Sequence, residues 1–313
     1  MIDPEHLLEK IEPFESRRQA ILNIYKNFKS ACKEVENLLL YCFSELFSEI
    51  QITIEDLNYN KNLFNSIKTL ADRYKILEFS NDESFQVKKW AKMPEFKFIS
   101  SALITEIIDV LTQTYKKSPS EVSIYSPKFE SMIYSLSVDP FFVALMLHTL
   151  KKMARMLKFK EYNRVLIISS DFIYFPLILV ESLENEFKIV SFKTKNAALL
   201  KILIQKEIPI VVDTVELKNL KENNEKFDLA ISFLPFQFIS FMDIDTFLSN
   251  LFNISHTFLF YQPTISSKTI DTCILSFFYD LSFLREDELI SLIEKQNATI
   301  QQKDSIWLVR VHK

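Results

Sequence analysis

The sequence predicts an α/β protein with a mainly helical N-terminal part and a mostly parallel β-sheet in the C-terminal part. Apolar residues make up 48% and charged residues 25% of the 313 residues, which is the balance of a folded globular chain rather than a disordered one. Apolar residues recur at helical spacing through most of residues 1–160. After Arg164, short apolar runs alternate with helical segments, a pattern typical of a parallel sheet with right-handed crossovers.

The N-terminal part is expected to form its own domain over residues 1–120. Apolar residues at helical spacing predict one long helix from Glu15 to Glu49. Further on, the amphipathic segment NLFNSIKTLADRY is followed by two β-prone runs, YKILEF and FQVKKW, that flank a polar turn and so predict a hairpin. A helix that leads into a hairpin is the end of a winged-helix unit.

A winged helix suggests either DNA binding or dimerisation, and the charges favour dimerisation. Residues 1–162 carry 22 basic and 22 acidic side chains, whereas a nonspecific nucleic-acid binder has a basic excess. The helix of this unit offers few cations to phosphates, namely Lys61, Lys68 and Arg73, and Asp72 opposes them. We therefore predict a homodimer formed through the N-terminal half and no tight binding of nucleic acid.

Absent and scattered residue types exclude several kinds of site. The chain contains no glycine, so it has neither a P-loop nor a GxGxxG turn. Cys32, Cys42 and Cys273 are too far apart for a zinc site or a disulfide framework. The charged N-terminus does not resemble a signal peptide, and no apolar run approaches the roughly 18 residues of a membrane span. We expect a cytoplasmic protein without a metal.

The C-terminal part is expected to form a domain over residues 121–313, with helices before the sheet. Near-continuous apolar runs predict strands that are buried on both faces. They are residues 165–169, 187–192, 208–213, 227–233 and 256–261. The chain then ends with a possible strand in CILSFFYDL, a helix in REDELISLIEKQNAT and a closing strand in SIWLVRVHK.

This order of elements resembles the class I S-adenosylmethionine-dependent methyltransferase domain, which has a Rossmann-like sheet with an antiparallel last strand. The N-terminal part resembles the dimerisation module that precedes this domain in many small-molecule O-methyltransferases. The resemblance rests on the pattern of elements over about 150 residues. It implies S-adenosylmethionine as cofactor and methyl transfer to a small-molecule substrate that the sequence does not identify.

The resemblance also implies which residues face the cofactor. In the family, an acidic, glycine-rich turn after the first strand holds the methionine part. Here Ser169, Ser170 and Asp171 take that place, and the aromatic residues that follow in DFIYFP crowd the site. An acid at the end of the second strand holds the ribose hydroxyls in the family, whereas this chain has Phe192 and Lys193 there.

The third and fourth strands supply the remaining expected site residues. Asp213 matches the family's acid near the adenine amine. Asp228 is counted among the cofactor-binding residues and, with the substrate-facing segment that contains Phe233, Pro235 and Phe236, matches the loop after the fourth strand in the family. Because Phe233 cannot accept a hydrogen bond from an amine, methylation of nucleic-acid bases is not expected.

Two alternatives to a methyltransferase remain open at the level of sequence. The missing glycines and the missing ribose acid suggest a degenerate, non-catalytic relative that keeps the fold for binding or assembly. An aminopropyltransferase-like enzyme would use a related fold and cofactor. That enzyme requires an acid-rich loop for its polyamine, and ISSDF offers one acid.

Overall fold

The computed structural model of the chain describes most of the C-terminal sheet and parts of the N-terminal half. The described residues are 3–47, 52–53, 77–81, 84–87, 95–105, 108, 138–169, 172–191, 194–204, 206–212, 225–238, 241–264 and 284–312. The predicted helix at 62–74, the predicted strand at 273–281 and the boundary between residues 120 and 121 lie outside them.

The N-terminal half begins with four helices. They are α1 (Pro4–Lys10), α2 (Glu12–Glu15), α3 (Arg18–Lys26) and α4 (Phe28–Phe47). The prediction of one unbroken helix from residue 15 to residue 49 was wrong, because the chain breaks at Asn27. The Asn27 side chain donates to the Asn23 carbonyl oxygen at 2.9 Å, and such side-chain bonds to the backbone compete with helix continuation.

Helix α4 is a core helix of the chain itself. Its buried residues lie on several sides of the helix and include Ala31, Val35, Leu38, Leu40 and Cys42. Burial raises the pKa of the Cys42 thiol to about 12, so that this thiol stays protonated. Among the described side chains of α4, the exposed ones are polar or charged, namely Lys29, Ser30, Lys33 and Glu45.

The predicted hairpin is confirmed as two antiparallel strands of a small three-stranded sheet. Its strands are β1 (Ile52–Thr53), β2 (Leu77–Asn81) and β3 (Ser84–Val87), in the order β1-β3-β2. The helix that would complete a winged-helix unit lies outside the described residues, so that unit stays a prediction.

A seven-stranded sheet forms the C-terminal half, in the order β6-β5-β4-β7-β8-β10-β9. Its strands are β4 (Arg164–Ser169), β5 (Glu186–Ser191), β6 (Ile210–Val212), β7 (Leu229–Phe233), β8 (Thr257–Tyr261), β9 (Ala298–Lys303) and β10 (Ile306–Val311). Strands β4 to β8 pair in parallel, and β10 is antiparallel to both β8 and β9. The five predicted apolar strands and the antiparallel closing strand are confirmed.

Strand β9 was missed at the level of sequence, because its first residues were assigned to the last helix. That helix ends at Glu294, and Asn297 then adopts a positive φ of 54° that turns the chain into β9. Exposed and half-buried residues alternate along β9, as expected for an edge strand that packs on one face only.

Helices cover both faces of the sheet. They are α5 (Pro140–Met156), α6 (Tyr174–Ser182), α7 (Thr194–Leu203), α8 (Phe241–Ile254) and α9 (Glu286–Glu294). One apolar cluster joins the N-terminal helices, α5 and α6 to one face, and a second cluster joins α8 and α9 to the other face. Within the described ranges, no helix combines the length and apolar character that a bilayer span requires.

Candidate functional site

The sheet order places a crevice at the carboxyl ends of β4 and β7. In open parallel sheets, ligands bind outside the carboxyl ends of the strands, at the point where the strand order reverses. Here the chain runs outward from β4 through β5 to β6 and then returns to β7 on the other side of β4. Ser169 ends β4 and Phe233 ends β7, so these two residues mark the expected ligand crevice.

Aromatic side chains of the chain itself fill this crevice. The ring centroid of Phe233 lies 5.1 Å from that of Phe172, 5.1 Å from that of Phe175 and 4.8 Å from that of Tyr261. None of the four side chains is more than 2% exposed. We call these four residues the aromatic plug. Two of the aromatic residues that were expected after β4, Phe172 and Phe175, thus pack against the end of β7.

The N-terminal half extends the aromatic packing around the plug. Phe142 of α5 lies 5.9 Å from Phe172 between ring centroids, and Phe14 of α2 lies 5.1 Å from Tyr174. All of these rings belong to one apolar cluster. The crevice is thus packed from both the sheet and the N-terminal helices.

Among the described residues at this edge, groups that could act as acids or bases are scarce. The described residues that end β4, β5, β7 and β8 are Ser169, Ser191, Phe233 and Tyr261, and none carries a carboxylate or an imidazole. Ser169 and Ser191 are at most 1% exposed. Methyl transfer to a hydroxyl group would need a side chain here that accepts a proton near neutral pH.

The predicted substrate-facing segment is folded into the protein. Phe233 packs in the plug, whereas Phe236 packs in the second cluster, 6.0 Å from Phe247 and 5.3 Å from Phe260. Between them, the Leu234 backbone N–H donates to the Tyr261 carbonyl oxygen at 2.8 Å. Phe233, Pro235 and Phe236 are all buried, so they face neighbouring side chains instead of an open pocket.

Asp228 lies at the opposite edge of the sheet. Its carboxylate accepts hydrogen bonds from the backbone N–H groups of Asn163 at 2.9 Å and Arg164 at 3.0 Å. Arg164 begins β4 and Ser169 ends it, which separates the two edges by about 16 Å at the usual rise of a strand. The structure therefore does not bring Asp228 together with Ser169, and we remove Asp228 from the cofactor set.

The other predicted cofactor residues cannot be placed. Ser170, Asp171, Phe192, Lys193 and Asp213 lie outside the described residues, so their roles stay predictions. Sequence reasoning missed Tyr261 and Leu234 as parts of the crevice. Tyr261 ends the last of the five apolar runs. That position in the sequence could have predicted its place at the carboxyl end of a strand.

His148 is the imidazole that packs on the aromatic residues of the N-terminal half. Its ring lies 4.5 Å from that of Tyr25 and 4.3 Å from that of Phe28, and its Nε2 lies 2.9 Å from the Tyr25 carbonyl oxygen. Burial lowers the pKa of His148 below its ordinary value, and nearby cations of α5 lower that pKa further. This histidine joins α5 to the junction of α3 and α4.

The described residues of the crevice do not supply the polar partners that S-adenosylmethionine needs, and five of the predicted cofactor residues lie outside the described part of the chain. That cofactor carries an ammonium, a carboxylate, a ribose diol and an adenine ring, which need polar partners and space. The plug instead offers four mutually packed rings between β4, β7 and β8. Elsewhere, the described part of the chain contains no cluster of three side chains of the types that bind metals.

The fold itself is that of the class I methyltransferases. Five parallel strands, an antiparallel strand pair at the end and helices on both faces define this Rossmann-like fold. The chain is similar to the citrinin polyketide synthase CMeT domain, with a TM-score of 0.56 and 8% sequence identity over 99% of this chain and 98% of that chain.

Two other solved structures are similar at lower scores. An O-methyltransferase family protein from Burkholderia thailandensis has a TM-score of 0.48 and 8% identity over 93% of this chain and 97% of that chain. The mitomycin 7-O-methyltransferase MmcR has a TM-score of 0.46 and 10% identity over 95% of this chain and 100% of that chain. No protein-family model matches the sequence, and the search of curated proteins found no match.

Proposed function

We propose that this chain is a methyltransferase-fold protein that acts by binding or assembly and does not transfer methyl groups. The observation that carries the proposal is the aromatic plug at the carboxyl ends of β4, β7 and β8. Methyl transfer is an in-line displacement, for which donor and acceptor must approach to about 3–3.5 Å. In this fold the approach would take place in the crevice that the plug fills.

The packing energy of the plug supports this proposal. Moving two buried phenylalanine side chains, such as Phe172 and Phe233, into water costs on the order of 3–6 kcal/mol. Because 1.4 kcal/mol corresponds to a factor of ten, that cost weakens a ligand of the crevice by roughly 10²–10⁴. A cofactor that would bind an open crevice with a dissociation constant of about 1 μM would then bind with one of about 0.1–10 mM.

For the assembly role, we propose a homodimer formed through the N-terminal half. The balanced charge of this half supports a protein partner over nucleic acid. Since the described apolar side chains of α4 are buried or half-buried, we expect the contact to use other surfaces of this half, such as the edges of the three-stranded sheet.

A small-molecule methyltransferase that uses S-adenosylmethionine is the second candidate. It is favoured by the similarity to the CMeT domain, which spans 99% of this chain and therefore includes the N-terminal half. This function would require the plug to open. The aminopropyltransferase alternative has no comparable support.

Thermal unfolding with and without ligand tests the proposal. A ligand that binds the native state raises the melting temperature in proportion to RT ln(1 + [L]/Kd). We expect no shift for the unmodified chain with S-adenosylmethionine or S-adenosylhomocysteine at about 100 times a micromolar dissociation constant. A shift that corresponds to about 2.7 kcal/mol would contradict the proposal.

A pair of variants provides the control. Phe172→Ala removes a ring of the plug, whereas Phe258→Ala removes an equally buried ring from the second cluster. If the plug excludes the cofactor, only the Phe172 variant should gain a ligand-dependent shift. Equal ligand-dependent shifts of the melting temperature in the two variants would argue against the plug as the feature that excludes the cofactor.

A further inference from the structure

The turn after β7 holds a leucine in a backbone conformation that leucine disfavours. Leu234 has a φ of 57°, and a proline follows it. A left-handed backbone is about tenfold or more less populated for a residue with a Cβ atom, and a following proline also pushes the chain toward an extended conformation. The other positive φ values among the described residues belong to Asn297 and Asp304, whose residue types tolerate them.

Packing and two hydrogen bonds hold this turn in place. The Leu234 side chain is fully buried, and its N–H bonds to the Tyr261 carbonyl oxygen. Beyond it, the Phe236 ring is packed in the second cluster, while the Phe236 N–H reaches the Gln262 Oε1 atom at 3.4 Å. Residues Pro235–Phe238 form a short 3-10 helix in which Pro235 is also buried. Because the bond to Gln262 is long, side-chain packing rather than that bond holds this short helix in place.

Gln262 also forms hydrogen bonds with residues outside the turn. Its backbone N–H donates to the Ser305 carbonyl oxygen at 2.8 Å, and its own carbonyl oxygen accepts from Nε1 of Trp307 at 2.8 Å. Its side-chain Nε2 donates to the Pro263 carbonyl oxygen at 3.2 Å. Gln262 is therefore held in place by three hydrogen bonds. We expect its long bond to Phe236 to break first when the turn opens.

We propose that residues 234–238 form a strained strap that closes the aromatic crevice and opens by relaxation at Leu234. When φ of Leu234 returns to the extended range that Pro235 favours, the chain beyond it swings off the sheet edge. Phe236 then leaves the second cluster, and solvent reaches the upper side of the Phe233–Tyr261 ring pair. The proposal deepens the proposed function and rests on it, because the strap governs access to the crevice that the plug fills.

Amide hydrogen exchange on the full chain tests the strap with two matched variants. Leu234→Ala and Leu234→Gly both remove the buried side chain, but only glycine also removes the penalty of the positive φ. We expect the amides of residues 234 and 236–238 to exchange about fivefold more slowly in the glycine variant than in the alanine variant, with no difference in β4. We also expect Gln262→Ala to speed exchange at Phe236 in the otherwise unmodified chain.

Equal exchange in the alanine and glycine variants would overturn the proposal, as would a strap that exchanges no faster than β4 in the unmodified chain. If neither Leu234 variant folds, Pro235→Ala replaces them, since it keeps the leucine and removes the restriction from proline. That variant should slow exchange of the strap about threefold, and unchanged or faster exchange would count against the proposal.

Titration of the same proteins with S-adenosylhomocysteine separates the two proposals. Tight binding by the unmodified chain, together with slower exchange in the glycine variant, would overturn the proposed function and leave the strap intact. Absence of binding together with equal exchange would overturn only the strap.

Discussion

Phe233 and Tyr261 end neighbouring parallel strands, and their rings stack with centroids 4.8 Å apart and planes 16° apart. This pair lies where the fold would otherwise open a ligand crevice. Phe172 and Phe175 pack against the same Phe233 ring from the loop and helix after β4. The protein's own side chains thus supply the packing at the position where related folds bind a ligand.

Removal of the central ring should destabilise the protein strongly. Phe233 is 1% exposed, and Phe→Ala substitutions at such positions cost about 3–5 kcal/mol through lost burial and the cavity left behind. We expect that loss for Phe233→Ala in urea unfolding, with a smaller loss for Phe233→Leu. Ile202→Ala, at a position that is 77% exposed, is the control and should change stability by less than about 0.5 kcal/mol. A loss below about 1 kcal/mol for Phe233→Ala would contradict the tight packing of the plug.

Asp228 should matter for stability and not for ligand binding. Its carboxylate accepts from two backbone N–H groups at the start of β4. Asp228→Ala leaves those donors without their acceptor, so we expect a loss of about 1–3 kcal/mol in chemical unfolding. Asp228→Asn keeps one acceptor oxygen and should lose less. A change in the affinity for S-adenosyl ligands in a chain that stays folded would return Asp228 to the cofactor set.

Restoring the family residues alone should not restore cofactor binding. Lys193→Asp would supply the missing ribose acid, and Ser169→Gly would add a glycine to the first loop, but both leave the aromatic plug in place. We expect calorimetry to detect binding of S-adenosylhomocysteine only when Phe172→Ala is added. Binding by the Ser169→Gly, Lys193→Asp chain without the change at Phe172 would mean that the plug does not limit access.

Stability should fall as the pH falls below about 6.5, because of His148. Burial lowers the pKa of His148 in the folded state below its ordinary value of 6.5, so the unfolded state binds the proton more readily. The contribution of His148 to the free energy of unfolding is therefore complete above the pKa of this residue in the unfolded state. It decreases as the pH falls below that value. We expect His148→Gln to flatten the dependence of unfolding free energy on pH between about 5 and 7. An unchanged slope in that variant would assign the pH dependence to other groups.

The homodimer is testable by multi-angle light scattering on the full chain. We expect twice the chain mass of 36.9 kDa at micromolar concentration. Salt should have little effect, since the N-terminal half carries equal numbers of basic and acidic side chains. A monomer mass over the whole concentration range would remove dimerisation from the proposed role.

The sequence predicted the sheet well because buried parallel strands are continuous apolar runs that no surface pattern interrupts. Runs such as 165–169 and 256–261 therefore marked their strands directly. The break at Asn27 was not predictable from periodicity, because apolar spacing continues across it and a side-chain bond to the backbone ends the helix. Strand β9 was missed for a related reason, since only the positive φ of Asn297 separates it from the last helix.

The site was predictable only in part. The aromatic residues after β4 were expected at the crevice, and two of them, Phe172 and Phe175, form part of the plug. The stacking of Phe233 on Tyr261 joins residues that are 28 positions apart, and it depends on the register between β7 and β8, which periodicity does not define. Asp228 was misplaced although it stands at the start of its apolar run, which in a parallel sheet puts it at the amino edge, opposite the crevice.

Calorimetric titration of the unmodified full chain with S-adenosylhomocysteine is the most direct test of the central claim, which is that the aromatic plug closes the crevice to the cofactor. We expect no binding, or a dissociation constant well above the micromolar range, and measurable binding once Phe172→Ala and Phe233→Ala are combined in a chain that still folds. Micromolar or tighter binding by the unmodified chain would contradict it. If that binding were also insensitive to Asp171→Ala and Asp213→Ala, the ligand would lie outside the predicted crevice altogether.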